Sequence, residues 1–120
     1  DYFVNTIIHK TVVDPLRAEF PNTPIFTIPT GWAAVYLLKM EQDGLLLDSI
    51  DFSGPRATSL FTDAKGHQGQ IIIDAGTLMW MKGIYNIDLN TSKYETGFNT
   101  DLHGLADQIM ADHDPLYNQY

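Results

Sequence analysis

The stretch IFTIPTGWAAVYLL, Ile25 to Leu38, carries the pattern that decides the fold. Its first four residues are all β-branched or aromatic, and Pro29 stops them, which predicts a short buried strand at Ile25–Ile28. Thr30 is placed to cap a helix predicted over residues 32–42, where apolar side chains recur at helical spacing. A strand followed at once by an amphipathic helix is typical of an α/β fold.

Three other segments are predicted to be helical. Residues 2–20 carry an amphipathic stripe that Pro15 interrupts, so that helix either kinks there or restarts with Asp14 as its N-cap. A buried helix is predicted from Gln70 to about residue 84, because apolar side chains cover most of its circumference. A last helix is predicted over about residues 101–112.

The segment between the second and third helices, residues 45–69, shows no hydrophobic period and reads as one long loop. Loops of this length are uncommon in compact domains and are often functional. With the loop set aside, the chain holds four helices and only one strand. A lone strand leaves its backbone donors and acceptors unpaired. We therefore expect residues 1–120 to be a single C-terminal segment of a larger α/β unit, mostly helical with one core strand.

The composition excludes several classes of partner. Seven basic and fifteen acidic residues give a net charge of -8, which disfavours binding to nucleic acid or to an anionic membrane surface. The chain contains no cysteine, so disulfides, thiolate metal ligands and a cysteine nucleophile are excluded. No apolar run approaches the roughly 20 residues of a membrane span. The sequence predicts neither a nucleic-acid partner nor a membrane span.

Within the predicted loop, Asp63 and His67 lie four residues apart, just before the buried helix, in the segment LFTDAKGHQG. Three readings compete: a surface turn with no role, a metal site, or the acid and base of a catalytic triad. A carboxylate that accepts the Nδ1 proton of an imidazole leaves Nε2 free to take a proton from a nucleophilic hydroxyl. Gly66 can adopt a positive φ angle and so direct His67 toward a site.

Three segments together resemble the C-terminal portion of SGNH (GDSL-type) hydrolases: IFTIPTGWAAVYLL, LFTDAKGHQG, and the apolar helix that runs into IYNIDL. In this serine esterase and lipase superfamily, an Asp shortly before a His belongs to a Ser-His-Asp triad on a flavodoxin-like sheet. The resemblance implies the C-terminal part of a flavodoxin-like, SGNH-type three-layer sandwich. It further implies that His67 is the general base and Asp63 its orienting carboxylate.

The chain departs from the family in its spacing and in what it lacks. Three residues separate Asp63 from His67 where the family has two, and Gln68 stands in place of the usual proline. No Gly-Asp-Ser-Leu block is present, nor are the Gly and Asn blocks that complete the oxyanion hole. The four serines lack a matching context and are predicted to be turn residues: Ser49, Ser53, Ser59 and Ser92.

The remaining conspicuous residues have simpler interpretations. His9 and His103 are expected at the surface or at a helix terminus. His113 lies between Asp112 and Asp114, which raises a metal hypothesis, but an acidic, fraying helix end is the favoured account. The two tryptophans and a neighbouring methionine are expected in the core, or at most as one wall of an acyl pocket: Trp32, Met79 and Trp80.

The resemblance therefore implies part of a carboxylic ester hydrolase that acts through an acyl-enzyme, without metal or cofactor. Its substrate would be a small ester, with an acetylated carbohydrate as one candidate. The nucleophilic serine would come from a companion chain or an N-terminal segment, so the chain alone is expected to be inactive. The alternative is a non-catalytic interaction module that docks through an exposed strand edge and apolar helices. The sequence does not determine the cellular compartment of the protein, and a secreted or periplasmic location is slightly favoured.

Overall fold

The computed structural model of the chain describes residues 3–118. The fold is α/β, as predicted at that level, and about half of the chain is helical, with a small two-stranded parallel sheet. The elements in chain order are a π-helix (Phe3–Val13), α1 (Asp14–Glu19), α2 (Gly31–Gln42), β1 (Asp51–Ser53), a 3₁₀ turn (Arg56–Thr58), β2 (Ser59–Phe61), α3 (Gln70–Tyr85) and α4 (Leu102–Asp112).

The described chain divides into two compact units. The first contains residues 3–28 together with residues 113–118, and the second contains residues 29–112. The candidate catalytic turn belongs to the second unit.

In the first unit, the helix changes type at the proline. The π-helix ends at Val13 and α1 begins at Asp14, because Pro15 has no N–H to donate to the preceding turn. The prediction that Asp14 caps a new helix is wrong, since residue 13 is itself helical and no side chain caps this terminus. The Asp14 carboxylate instead accepts a hydrogen bond from the Tyr117 hydroxyl, 2.9 Å away.

The predicted strand at Ile25–Ile28 is also wrong. These residues are half-buried and form no strand, and Pro24 and Pro29 at its flanks have no N–H for a sheet ladder. One backbone hydrogen bond holds the segment, from the N–H of Thr27 to the carbonyl of Tyr117 at 2.9 Å. The β-branched composition thus marks an irregular, half-buried segment of the first unit and not a core strand.

The two strands lie in the segment that was predicted to be a loop. β1 and β2 run parallel, with Asp51 opposite Ser59 and Ser53 opposite Phe61. Each strand has only three residues, too few to show an alternating pattern in the sequence. A 3₁₀ turn joins them, although parallel strands usually need a crossover of a dozen or more residues.

α3 forms the centre of the second unit, and it contacts α2, α4 and β2. Its first ten residues bury one broad face, and the core around it consists of Ala33, Leu37, Leu60, Ile71, Ile72, Ala75, Leu78, Met79, Leu89, Leu102, Ala106, Ile109 and Met110. The prediction of a buried apolar helix is confirmed for this part of α3. Within residues 3–118, no helix has both the length and the apolar character needed to cross a membrane.

Candidate active site

The candidate site is a closed turn between β2 and α3. The N–H of Thr62 donates to the carbonyl of His67 at 2.8 Å, and the N–H of Gly69 donates to the carbonyl of Leu60 at 2.6 Å. Phe61 and Gln68 form an isolated antiparallel bridge between these two hydrogen bonds. The turn is therefore closed by backbone hydrogen bonds, one of which ties its end at Gly69 to Leu60 of β2.

The turn brings the predicted acid and base into direct contact. His67 Nδ1 lies 2.5 Å from Asp63 Oδ2, which is the contact that a triad requires between base and carboxylate. The other carboxylate oxygen, Oδ1, accepts the N–H of Lys65 at 2.8 Å and, more weakly, the N–H of His67 at 3.4 Å. Asp63 thus orients the imidazole and also closes the turn.

Electrostatics favour the ionised carboxylate. The hydrogen bond from the His67 side chain, with help from the N–H groups of Lys65 and His67, lowers the pKa of Asp63. The pair is open to solvent, with 69% of the His67 side chain and 42% of the Asp63 side chain exposed. An exposed imidazole can reach a group on another segment of protein.

Two glycines shape the turn for different reasons. Gly66 has φ of +83°, in the left-handed region that glycine adopts without cost. Gly69 lies so close to β2 that a Cβ atom there would be 1.7 Å from the carbonyl oxygen of Ser59. The first glycine allows the chain to reverse, and the second allows α3 to begin directly against the strand.

The serines of this chain do not make a nucleophile block. The buried Ser59 hydroxyl lies 2.7 Å from the carbonyl oxygen of Pro55 and 2.9 Å from that of Phe61, so it has backbone acceptors of its own. The turn prediction is wrong for Ser53 and Ser59, which lie in β1 and β2. Ser49 and Ser92 lie in connections, outside helices and strands.

Two histidines are buried, contrary to expectation: the sequence predicts His9 at the surface or at a helix terminus, and His113 in a fraying helix end. His9 is 0% exposed and His113 is 8% exposed, and both belong to the first unit. Their Nε2 atoms lie 3.0 and 2.8 Å from the hydroxyl oxygen of Thr27. The fraying-terminus account of His113 is therefore wrong. The sequence gives no local signal for this cluster, because residues 9, 27 and 113 are far apart along the chain.

The other predicted positions have mixed outcomes. His103 is the second residue of α4, at a helix terminus as expected. Met79 is buried and Trp32 is half-buried, whereas Trp80 is 53% exposed and so is not a core residue. Among residues 3–118, no group of three or more His, Asp or Glu side chains is arranged to hold a metal ion.

Comparisons with protein-family models, with curated proteins and with solved structures find no match for this chain. A function for the chain can therefore be inferred only from the geometry of the turn and from the resemblance of its sequence.

Proposed function

We propose that this chain supplies the general base and the orienting carboxylate of an SGNH-type serine ester hydrolase. The observation that carries the proposal is the contact of 2.5 Å between His67 Nδ1 and Asp63 Oδ2 in a rigid turn. The turn follows a strand of a parallel sheet and precedes a buried helix, and functional groups of open α/β sheets gather in such loops. The proposal includes the fold: in the complete protein, β1 and β2 would form part of the sheet of a flavodoxin-like sandwich.

In the proposed reaction, the hydroxyl of a serine outside this chain attacks the carbonyl carbon of the ester. His67 Nε2 takes the serine proton as the new C–O bond forms, and the imidazolium returns that proton to the departing alcohol. Water then attacks the acyl-enzyme with the same base, which releases the carboxylic acid and restores the serine. Asp63 keeps the Nδ1 proton in place and stabilises the imidazolium while it exists.

The exposure of the pair supports a nucleophile on a separate segment. With 69% of the His67 side chain open to solvent, another protein segment has room to pack on the imidazole. A companion chain or a preceding segment with a Gly-Asp-Ser type block would cover the turn and exclude water from the reaction. A small ester, such as an acetylated carbohydrate, is the proposed substrate.

The first test is mutation of the base and the carboxylate in the complete protein that carries the serine. His67→Ala should lower kcat for a short-chain aryl ester by about 10⁴-fold or more, because the serine loses its proton acceptor. Asp63→Asn should cost about 10²- to 10⁴-fold, since the imidazole keeps its place but loses the carboxylate that fixes its tautomer. Gln68→Ala is the control, because its side chain is exposed on the same turn.

A fluorophosphonate probe, which labels activated serines, provides an independent readout. The wild-type protein should be labelled at one serine, mapped by mass spectrometry outside residues 1–120, and His67→Ala should lose that label. Wild-type turnover in a folded His67→Ala protein, or labelling that is indifferent to this substitution, would overturn the proposal.

A second candidate function, an interaction module without catalysis, is favoured by exposed apolar side chains of the second unit. Phe52 of β1 is 56% exposed, and Trp80 and Ile84, one turn apart on α3, are 53% and 41% exposed. Paired serine substitutions at Trp80 and Ile84 should then change the mass of the native particle in solution. The same variants should retain ester turnover if the hydrolase proposal holds, because both residues lie in the second half of α3, whereas the catalytic turn precedes the first residue of this helix.

A further inference from the structure

The first unit contains a buried cluster that the proposed reaction does not use. His9 and His113 share the hydroxyl of Thr27, at 3.0 and 2.8 Å from their Nε2 atoms. The His9 ring stacks on the Tyr117 ring, with centroids 3.7 Å apart and planes tilted by only 8°. The Tyr117 hydroxyl donates in turn to the carboxylate of Asp14. The cluster therefore joins residues 3–28 to residues 113–118.

The hydrogen atoms of this cluster can be assigned by counting donors. A hydroxyl has one proton, so Thr27 can donate to only one of the two Nε2 atoms, and the other must be an N–H that donates to Thr27. Nδ1 of His9 is buried without a hydrogen-bond partner. An orphaned buried N–H is rarer than an unsatisfied acceptor, which places the His9 proton on Nε2. His113 Nε2 then accepts from Thr27, and both imidazoles are neutral.

Adding a proton to either imidazole breaks this arrangement. On His9 the new proton would have to sit on Nδ1, which is buried without an acceptor. On His113 it would have to sit on Nε2, so the Thr27 hydroxyl would have to turn its own proton away from the ring, and a positive charge would be placed on a buried imidazole. The two rings are also only 5.6 Å apart between centroids, so two positive charges would repel each other.

The surrounding charges do not compensate for burial. For His9, Asp114 and Asp14 favour a positive charge, whereas Lys10 and Arg17 oppose it. Both of these cations lie over the Tyr117 ring that stacks on His9, with Lys10 Nζ at 5.4 Å and Arg17 Cζ at 5.1 Å from its centroid. For His113, Asp114 and a hydrogen bond with the Thr27 backbone favour a positive charge, whereas His9 opposes it. Burial is the largest influence on both histidines and lowers the pKa of each below its ordinary value of 6.5.

We propose that the His9–Thr27–His113 cluster is a pH switch: it holds residues 113–118 against residues 3–28 while both imidazoles are neutral, and releases them when either is protonated. The linkage between proton binding and stability gives the direction in which the stability of the closed state changes with pH. A histidine whose pKa is lower in the closed state adds stability that is complete above pH 6.5 and is lost as the pH falls below it. The protein therefore opens locally in mildly acidic surroundings.

Hydrogen–deuterium exchange on the protein, followed residue by residue between about pH 7.5 and 5, tests this proposal. The reporter is the amide of Thr27, which donates to the Tyr117 carbonyl at 2.9 Å. The protection factor of this amide is its intrinsic exchange rate divided by the observed rate. It should fall about tenfold per pH unit below 6.5 for each proton that the protein takes up on opening. The amide of Gly69, in the second unit, should keep its protection and serves as the internal reference.

Ring titrations by NMR supply a readout that needs no variant. His9 and His113 should both titrate below pH 6.5, in step with the loss of Thr27 protection.

His113→Gln, which keeps a polar group but cannot titrate, should reduce the pH dependence of that protection. His103→Gln should not change it. Thr27 protection that stays constant from pH 7.5 to about 5, or ring titrations at or above 6.5, would overturn the proposal.

Discussion

The Asp63 carboxylate combines two roles that the sequence presents as alternatives. One oxygen accepts backbone N–H groups, as in a surface turn with no catalytic role, while the other holds the His67 imidazole at 2.5 Å. The turn would therefore be rigid with or without catalysis. Asp63→Asn can keep the backbone acceptor with its side-chain oxygen, so its effect on ester turnover can be separated from an effect on folding. This is why Asn, and not Ala, is the informative substitution there.

The two glycines of the turn give a prediction about stability at single positions. Gly69→Ala should destabilise the second unit by about 3 kcal/mol or more, because its Cβ would meet the backbone of Ser59, which cannot move without displacing β2. Gly66→Ala should cost only about 1 kcal/mol, since nothing lies within 4 Å and only the positive φ angle is unfavourable. Urea unfolding followed by circular dichroism measures both changes. Equal losses from the two variants would contradict this account of the turn.

At the scale of elements, the Asp48 carboxylate anchors the two residues that lie shortly before α4. Asp48 accepts hydrogen bonds from the backbone N–H and the side chain of both Asn99 and Thr100, at 2.7 to 3.1 Å. Burial acts to raise the pKa of Asp48, but these hydrogen bonds outweigh it and lower the pKa. These four hydrogen bonds form a clip, the Asp48 clip, which ties the segment after α2 to the residues that precede Leu102.

Breaking this clip should cost more than breaking an exposed ion pair. Asp48→Asn should lower the free energy of unfolding by about 1 to 3 kcal/mol, because an amide cannot accept all four hydrogen bonds as strongly as a carboxylate. Asp43→Asn is the matched control, since Asp43 forms only an exposed pair with Lys39 on α2 and should cost less than about 0.5 kcal/mol. Similar losses in urea unfolding for the two variants would show that the Asp48 clip does not anchor the residues before α4.

The helices could be predicted from the sequence because their signals are local. α2, α3 and α4 each begin and end within one residue of the predicted bounds, which follow from apolar spacing and terminating residues. The strands could not be predicted in this way. Residues 25–28 have β-rich composition but form no strand with any part of the chain that the structure describes. The strands β1 and β2 have three residues each and depend on contacts that the sequence does not display.

The same distinction separates the two histidine sites. Asp63 and His67 are four residues apart, so one turn determines their contact and the sequence can suggest it. His9, Thr27 and His113 meet only because distant segments pack together, and His9 lies on a helix whose spacing alone places it at the surface. Burial of a polar residue through tertiary contacts leaves no periodic trace in the sequence.

At the scale of the whole molecule, the carboxylates and histidines with shifted pKa values all act in one direction on stability, whereas Lys10 and Tyr36, whose pKa values are raised, act in the opposite direction at alkaline pH. Asp14, Asp48 and Asp63 have lowered pKa values through their hydrogen bonds, and the buried imidazoles of His9 and His113 also have lowered pKa values. For each group the unfolded chain binds protons more readily than the folded chain. The free energy of unfolding must therefore rise with pH wherever these groups titrate.

We expect this dependence to appear in two stages when urea unfolding is measured at about pH 7.5, 5 and 3.5. The first loss, below pH 6.5, belongs to the histidines and should shrink in His113→Gln, and the second, as the pH falls toward and below 3.8, belongs to the carboxylates. The net charge of -8 acts in the opposite sense, since acidification relieves the repulsion among acidic groups. Repeating the series in about 0.3 M salt, which screens that repulsion, should make both losses steeper. Stability that stays constant or rises from pH 7.5 to about 5 in high salt would contradict the assigned directions of the histidine pKa shifts.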